Sequence, residues 1–141
     1  MIPILRIVGA ATAVFLPTLT FSLVNLDDQY LLEYFHHYAD ITQLPAAFRH
    51  GLWAPQHLPG GYYRPLVEVA WILMAASSRG MFGGPCLAWF HAWSVVVHAC
   101  ASVAVYGLLQ ELLPRRPAEA AALVFAVHPA AAAAVAWLGG I

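Results

Sequence analysis

Two adjacent carboxylates, Asp27 and Asp28, stand in VNLDDQY, where the first long apolar run of the chain ends. Neighbouring acids beside hydrocarbon repel each other and are poorly solvated, which raises the pKa of at least one of them. A carboxylate so placed can serve as a general base toward an incoming hydroxyl or can bind a divalent cation. The plainer reading is a solvated acid pair that stops the helix.

Arg64 follows two glycines and two tyrosines in GGYYRPL and precedes Pro65. It therefore belongs on a turn leading into a helix. A guanidinium there can fork onto a phosphate, or it can simply snorkel toward lipid head groups. Glu68, four residues on, fits as its i,i+4 partner. His91 and His98, seven apart with Ser102 continuing the stripe, share one helix face. Interhelical hydrogen bonding explains such a stripe more simply than haem or metal, because two rings seven residues apart stand about 10 Å from each other. His128 precedes Pro129, which breaks the helix ladder one turn back. His36, His37, His50 and His57 have irregular spacing and read as surface residues. The sequence has no zinc-ligand spacing, nucleophile elbow or glycine-rich phosphate loop.

The elements that must position these groups follow from composition. Of 141 residues, 62% are hydrophobic and 9% charged, with six Arg and no Lys. Soluble domains carry roughly a quarter charged residues, so this composition indicates an integral membrane protein. The net charge of −1 excludes a nucleic-acid partner. Cys86 and Cys100 lie about 21 Å apart along a helix, too far for a disulfide within it, and read as two buried thiols.

Three apolar runs are long enough to cross a bilayer: about 7–26, 87–110 and 118–138, the first two uncharged and the third interrupted by Glu119 and by His128-Pro129. Twenty helical residues span about 30 Å, the thickness of the hydrocarbon core. Pro17 is expected to kink the first. Arg6 before it also suits a signal peptide, but the run exceeds the usual 7–15 residues of such a segment, and a first membrane helix fits better. The third run stays apolar to the last residue, so the chain is expected to be the opening part of a longer polytopic protein. The ends of the intervening loop, about 27–84, enclose five of the seven acids and four of the seven histidines. Leu66–Ser78 is too short to span and fits an interfacial or re-entrant helix. The helical spacing of Tyr30, Tyr34, Phe35 and Tyr38 predicts a second short helix lying on the membrane surface. The fold class is thus an all-α membrane protein of about three transmembrane helices with a large first loop. Arg6, Arg115 and Arg116 place the N-terminus in the cytoplasm and the loop outside, although Arg49, Arg64 and Arg79 count against this.

The order of the motifs carries more than any one of them. A first span ends in VNLDDQYLL; YYRPL and a short apolar helix follow; then come WFHAWSVVVHACASVAVYGLLQELL and AALVFAVHPAAAAAVAWLGG. From about Val24 to Leu138 this resembles the amino-terminal region of the multi-span glycosyltransferases of the GT-C superfamily. The likeness is nearest to bacterial relatives of the tetratricopeptide-containing protein O-mannosyltransferases. The resemblance implies transfer of a sugar from a polyprenyl-phosphate donor to a protein or glycan acceptor, outside a bacterial inner membrane. It implies that Asp27 or Asp28 serves the acceptor or a divalent cation, with Asp27 slightly favoured. It implies that Arg64 contacts phosphate and that Glu68 and His128 line the site. The Arg-x-Asp-type segment that commonly follows in the family is missing, as are further spans that help form the donor cavity. The chain alone is therefore expected to be incomplete as an enzyme. The alternative is a small non-catalytic membrane subunit that binds a partner through its outer loop. A transporter fragment is disfavoured, because most acids lie outside the spans.

Overall fold

A computed structural model describes residues 2–23, 26–52 and 62–136, with the backbone alone of Leu26, Asp27 and Tyr30. Every regular element among them is helical: α1 (Ile2–Phe15), α2 (Leu26–Glu33), α3 (Phe35–Tyr38), α4 (Pro65–Phe82), α5 (Leu87–Leu112), α6 (Arg115–Val127) and α7 (Ala132–Ala136), with short 3-10 turns between some of them. Two stretches are long and apolar enough to cross a membrane, Ile2–Thr20 and Leu87–Leu112; the bent pair α6–α7 makes a third if it is one span. The chain divides into two compact units, 1–21 with 91–141, and 22–90, the division falling inside α5.

In the first unit, α1 starts at Ile2, so Arg6 lies within the helix and the span covers 2–20 rather than 7–26. Pro17 has no amide to donate, and the α-helix gives way to a 3-10 turn over Leu16–Thr20. The hydroxyls of Thr18 and Thr20 donate to the carbonyls of Phe15 (2.7 Å) and Pro17 (2.8 Å). The expected kink is thus a change of helix type. On α6, Ala118, Ala122 and Ala126 recur at i,i+4,i+8 and pack with Ile7 and Ala11 of α1 and with Ala99 and Tyr106 of α5. Small side chains let helix backbones approach closely, which is what drives association where lipid removes the hydrophobic difference. Arg6 reaches Glu119 of α6 at 3.0 Å. The third run is broken as expected: α6 and α7 meet at 45° around His128-Pro129.

The second unit occupies the stretch read as a loop, and it is a folded helical body. Its core includes Leu31, Phe35, Tyr38, Leu52, Trp71, Ile72 and Met74. Tyr38 meets the Trp71 ring edge-on at 5.3 Å, and Phe35 packs near Phe90 at 6.3 Å. The predicted tyrosine-rich helix is instead two helices, α2 and α3, interrupted at Tyr34, and Phe35 and Tyr38 point into the protein. The apolar segment at 66–78 is longer than expected, running over Pro65–Phe82. Pro65 suits its first position, where no intrahelical amide is needed. Gly83 ends it with φ 76°, its amide donating to the Arg79 carbonyl at 2.9 Å. Ser78 locks the turn that follows, donating to the Gly84 carbonyl (2.8 Å) and accepting from the Cys86 amide (3.0 Å). Cys86 is half-buried and Cys100 exposed on α5, so neither is the fully buried thiol expected.

Candidate functional site

Asp27 and Asp28 do not terminate the first span. The helical run from Ile2 ends at Thr20, and the two acids are the second and third residues of α2. Helix N-termini favour negative charge, so the first turn of α2 is an electrostatically suitable seat for them. Asp28 is 1% exposed, which removes the reading of a solvated pair for this residue. The side chain of Asp27 lies outside the described residues.

Arg64 is the N-cap of α4 and is exposed, with its guanidinium 5.6 Å from the centre of the Tyr62 ring. Its backbone (φ −134°, ψ 65°) is not helical. The i,i+4 geometry therefore does not apply, and the expected Arg64–Glu68 ion pair is absent among the described residues. Glu68 turns inward instead. It falls on the stripe Glu68, Trp71, Ile72, Ala75, Ser78, the buried face of α4. That spacing of i, i+3, i+4 and i+7 is a signal by which its burial was available from the sequence.

Glu68 is 1% exposed, and neither carboxylate oxygen has a hydrogen-bond partner among the described residues. The nearest opposing group is His50, whose Nδ1 lies 3.8 Å from Oε2. The same nitrogen stands 3.3 Å from the Gly51 carbonyl oxygen, which can only accept, so Nδ1 carries the proton. Burial pushes the Glu68 carboxyl above its ordinary value of 4.5, against the opposing pull of His50. His37 on α3 is half-buried, its Nε2 has no hydrogen-bond partner among the described residues, and burial followed by the nearby His50 holds it below its ordinary 6.5. Hydrogen bonds from Thr42 hold Asp40 below the usual carboxylate range. His37 and His50, expected at the surface, are half-buried rather than fully exposed. No motif marks either one, because their neighbours come from distant parts of the chain. His36 is exposed as expected, and His57 lies outside the described residues.

In the first unit His98 behaves as the interhelical reading expects. Its Nε2–H donates to the Ala126 carbonyl at 2.9 Å, while Phe15 meets the ring edge-on at 5.1 Å and Phe125 stacks on it at 5.7 Å. His128 is exposed, and its Nδ1 accepts from the Ala130 amide at 3.1 Å. Both histidines line an apolar groove of about 650 Å³ between α5, α6 and α7. No group of three or more His, Cys, Asp and Glu side chains that could hold a metal ion occurs among the described residues.

Asp28, Arg64 and Glu68 thus belong to the second unit and His128 to the first. Compared with family models, curated proteins and solved structures, the chain matches none.

Proposed function

We propose that this chain is the amino-terminal part of a membrane glycosyltransferase of the GT-C type. It would transfer a sugar from a polyprenyl-phosphate donor to a hydroxyl of a protein or glycan acceptor, on the outer side of a bacterial inner membrane and with the N-terminus in the cytoplasm. The observation that carries this reading is the burial of Asp28 in the first turn of α2, the next helix in the chain after the first apolar span. A buried carboxylate at that point has more to do than solvate a helix end.

In the reaction, the acceptor oxygen attacks the anomeric carbon of the sugar. The bond from that carbon to the phosphate oxygen breaks, and the electron pair leaves with the polyprenyl phosphate. Asp27 or Asp28 takes the acceptor proton, directly or beside a bound divalent cation. Charge grows on the departing phosphate, and Arg64 is suited to meet it. Its fork is exposed at the start of α4, where the helix dipole adds to its positive charge.

The experiment is sugar transfer from a polyprenyl-phosphate donor by the full-length gene product, comparing wild type with Asp27→Asn and Asp28→Asn. Loss of a general base costs roughly 10²–10⁴-fold, and that is the expected fall in one of the two variants. Unchanged turnover in both removes the acids from the reaction. The rival reading, a non-catalytic subunit that docks a partner on its outer unit, draws on the exposed aromatic rings of Phe48, Tyr62 and Tyr63. It predicts no transfer by the wild type either.

A further inference from the structure

The sugar-transfer steps give Glu68 and His50 no part in the chemistry, yet the two stand close together in the second unit. A buried carboxylate without hydrogen bonds is costly, and the cost depends on whether it carries charge. Among the described residues both buried oxygens of Glu68 lack a hydrogen-bond partner, and the ionisable group within 4 Å of them is His50. His50 follows the 3-10 turn Ala46–Phe48, which packs against α4. The corner it occupies is tied down at two further points. The Leu52 amide donates to the Tyr62 carbonyl at 2.8 Å, and the Tyr63 hydroxyl donates to the Phe48 carbonyl at 3.1 Å. The His50 Nδ1 lies between the Gly51 carbonyl (3.3 Å) and Glu68 (3.8 Å), and brings this corner of the described chain to the carboxylate.

We propose that Glu68 and His50 form a proton-operated latch that holds the Arg49–Leu52 corner against α4. With Glu68 protonated, or with Glu68 ionised beside a charged His50, the buried pair carries no uncompensated negative charge and the corner stays seated. As pH rises, Glu68 loses its proton, and a carboxylate without a hydrogen bond among the described residues is left in a buried, largely apolar setting. Hydrating it requires the corner to lift. The other charged groups on the elements packed against α4 are His36 and His37 on α3, Asp40 before the next 3-10 turn, and Arg49 beside His50; α4 itself carries Arg64 and Arg79. Arg49, Arg64, Arg79 and His36 are all exposed, so solvent screens their influence on the buried pair. His37 works against the latch: its buried ring favours the neutral form, so acid loosens it while acid tightens Glu68. Asp40 lies near His37 and favours its charged form, and Arg79 acts on Asp40 in turn. The latch does not depend on any sugar-transfer activity.

The test is hydrogen exchange of the 49–52 segment in the full-length protein in lipid nanodiscs, between about pH 5 and 8, with rates corrected for intrinsic chemistry. Protection is expected to fall as pH rises, by up to about tenfold per pH unit, the most that one proton can give. Glu68→Gln abolishes that fall or, because His37 remains, reverses its sign. His50→Gln moves the midpoint to higher pH, because the positive charge that helps Glu68 ionise is gone. Should Glu68→Gln fail to fold, the infrared band of a protonated carboxyl in the wild type is followed instead, and its midpoint rises in His50→Gln. Flat protection in the wild type, a fall that persists in Glu68→Gln, or a midpoint unmoved in His50→Gln overturns the latch.

Discussion

The Nε2 of His98 and the carbonyl oxygen of Ala126 lie 2.9 Å apart, joining α5 to the last turn of α6. The reason is in the chain chemistry two residues further on. In an unbroken helix the Ala130 amide would donate to that carbonyl. Pro129 forces His128 into an extended conformation (φ −68°, ψ 132°), and the helix stops. The Ala130 amide turns to His128 Nδ1, which leaves the Ala126 oxygen to His98. Two histidines thus satisfy the donor and the acceptor that one proline separates. Interhelical hydrogen bonds in membranes contribute about 0.6 kcal/mol on average and up to about 1.7. His98 is also packed by Phe15 and Phe125, so His98→Ala should cost about 2 kcal/mol or more in unfolding measurements in detergent. The sharper test is the double variant. Pro129→Ala lets Ala130 donate to the Ala126 oxygen, so it should reduce the cost of His98→Ala. Strictly additive effects would break the link between the proline and the histidine.

Stability should depend on pH through two opposed groups in the second unit. The folded Glu68 binds its proton more tightly than the unfolded chain does. From about 4.5 upward, until its raised value is passed, stability therefore falls as pH rises. The folded His37 binds its proton less tightly. From 6.5 downward, until its lowered value is passed, stability falls as pH falls. In the wild type the two slopes partly cancel. Glu68→Gln should leave a curve that rises with pH toward 6.5, and His37→Gln one that falls with pH above 4.5. Either slope is limited to about 1.4 kcal/mol per pH unit. Thermal denaturation across this range checks it, and identical curves for the two variants would contradict the assignment.

The parts of the fold that were legible in the sequence are those written in covalent or periodic terms. Pro17 and Pro129 announced a break because a missing amide acts wherever the chain goes. The span 87–110 was read nearly to its observed ends because 26 apolar-rich residues leave little choice. In sequence Arg6 looks like the boundary of the first span, but it lies inside α1 and its head group reaches Glu119. The stretch before α5 looks like a loop in sequence because no single segment of it stands out as long and uncharged enough to span a bilayer. What organises it is Tyr38 against Trp71, two residues 33 positions apart, and no local pattern reports such a contact. The same holds at the candidate site. Asp28 was found from its neighbours in sequence, but its burial was not. The pairing of Glu68 with Arg64 was the local guess, and the non-helical backbone of Arg64 defeated it.

Gly83, at the end of α4, should resist replacement more than Gly80 within it. Its φ of 76° lies in the left-handed region, and a side chain there is strained even though open space surrounds the position. Gly83→Ala should cost about 1 kcal/mol. Gly80, three residues earlier and inside α4, also has open space around it but an ordinary helical backbone. Gly80→Ala should be neutral or stabilising by up to about 1 kcal/mol, since alanine suits helix interiors better. Equal effects of the two substitutions in the same melting experiment would show that the turn at Gly83 does not set the end of α4.

The last prediction concerns Arg64 and separates its binding role from a structural one. The residue is exposed and caps no helix amide with its side chain, so Arg64→Ala should leave thermal stability within about 0.5 kcal/mol of wild type. If Arg64 holds the donor phosphate, the same variant should raise the KM for the polyprenyl-phosphate donor about tenfold or more. Arg64→Lys should recover only part of this, because an ammonium is a point charge and cannot form the paired bonds of a guanidinium fork. A phosphate contact made equally in ground and transition states changes KM alone, whereas one that strengthens as the leaving group gains charge lowers kcat as well. The acceptor KM serves as the internal control and should not move. A lysine variant indistinguishable from wild type would assign Arg64 to lipid head groups, where charge alone suffices.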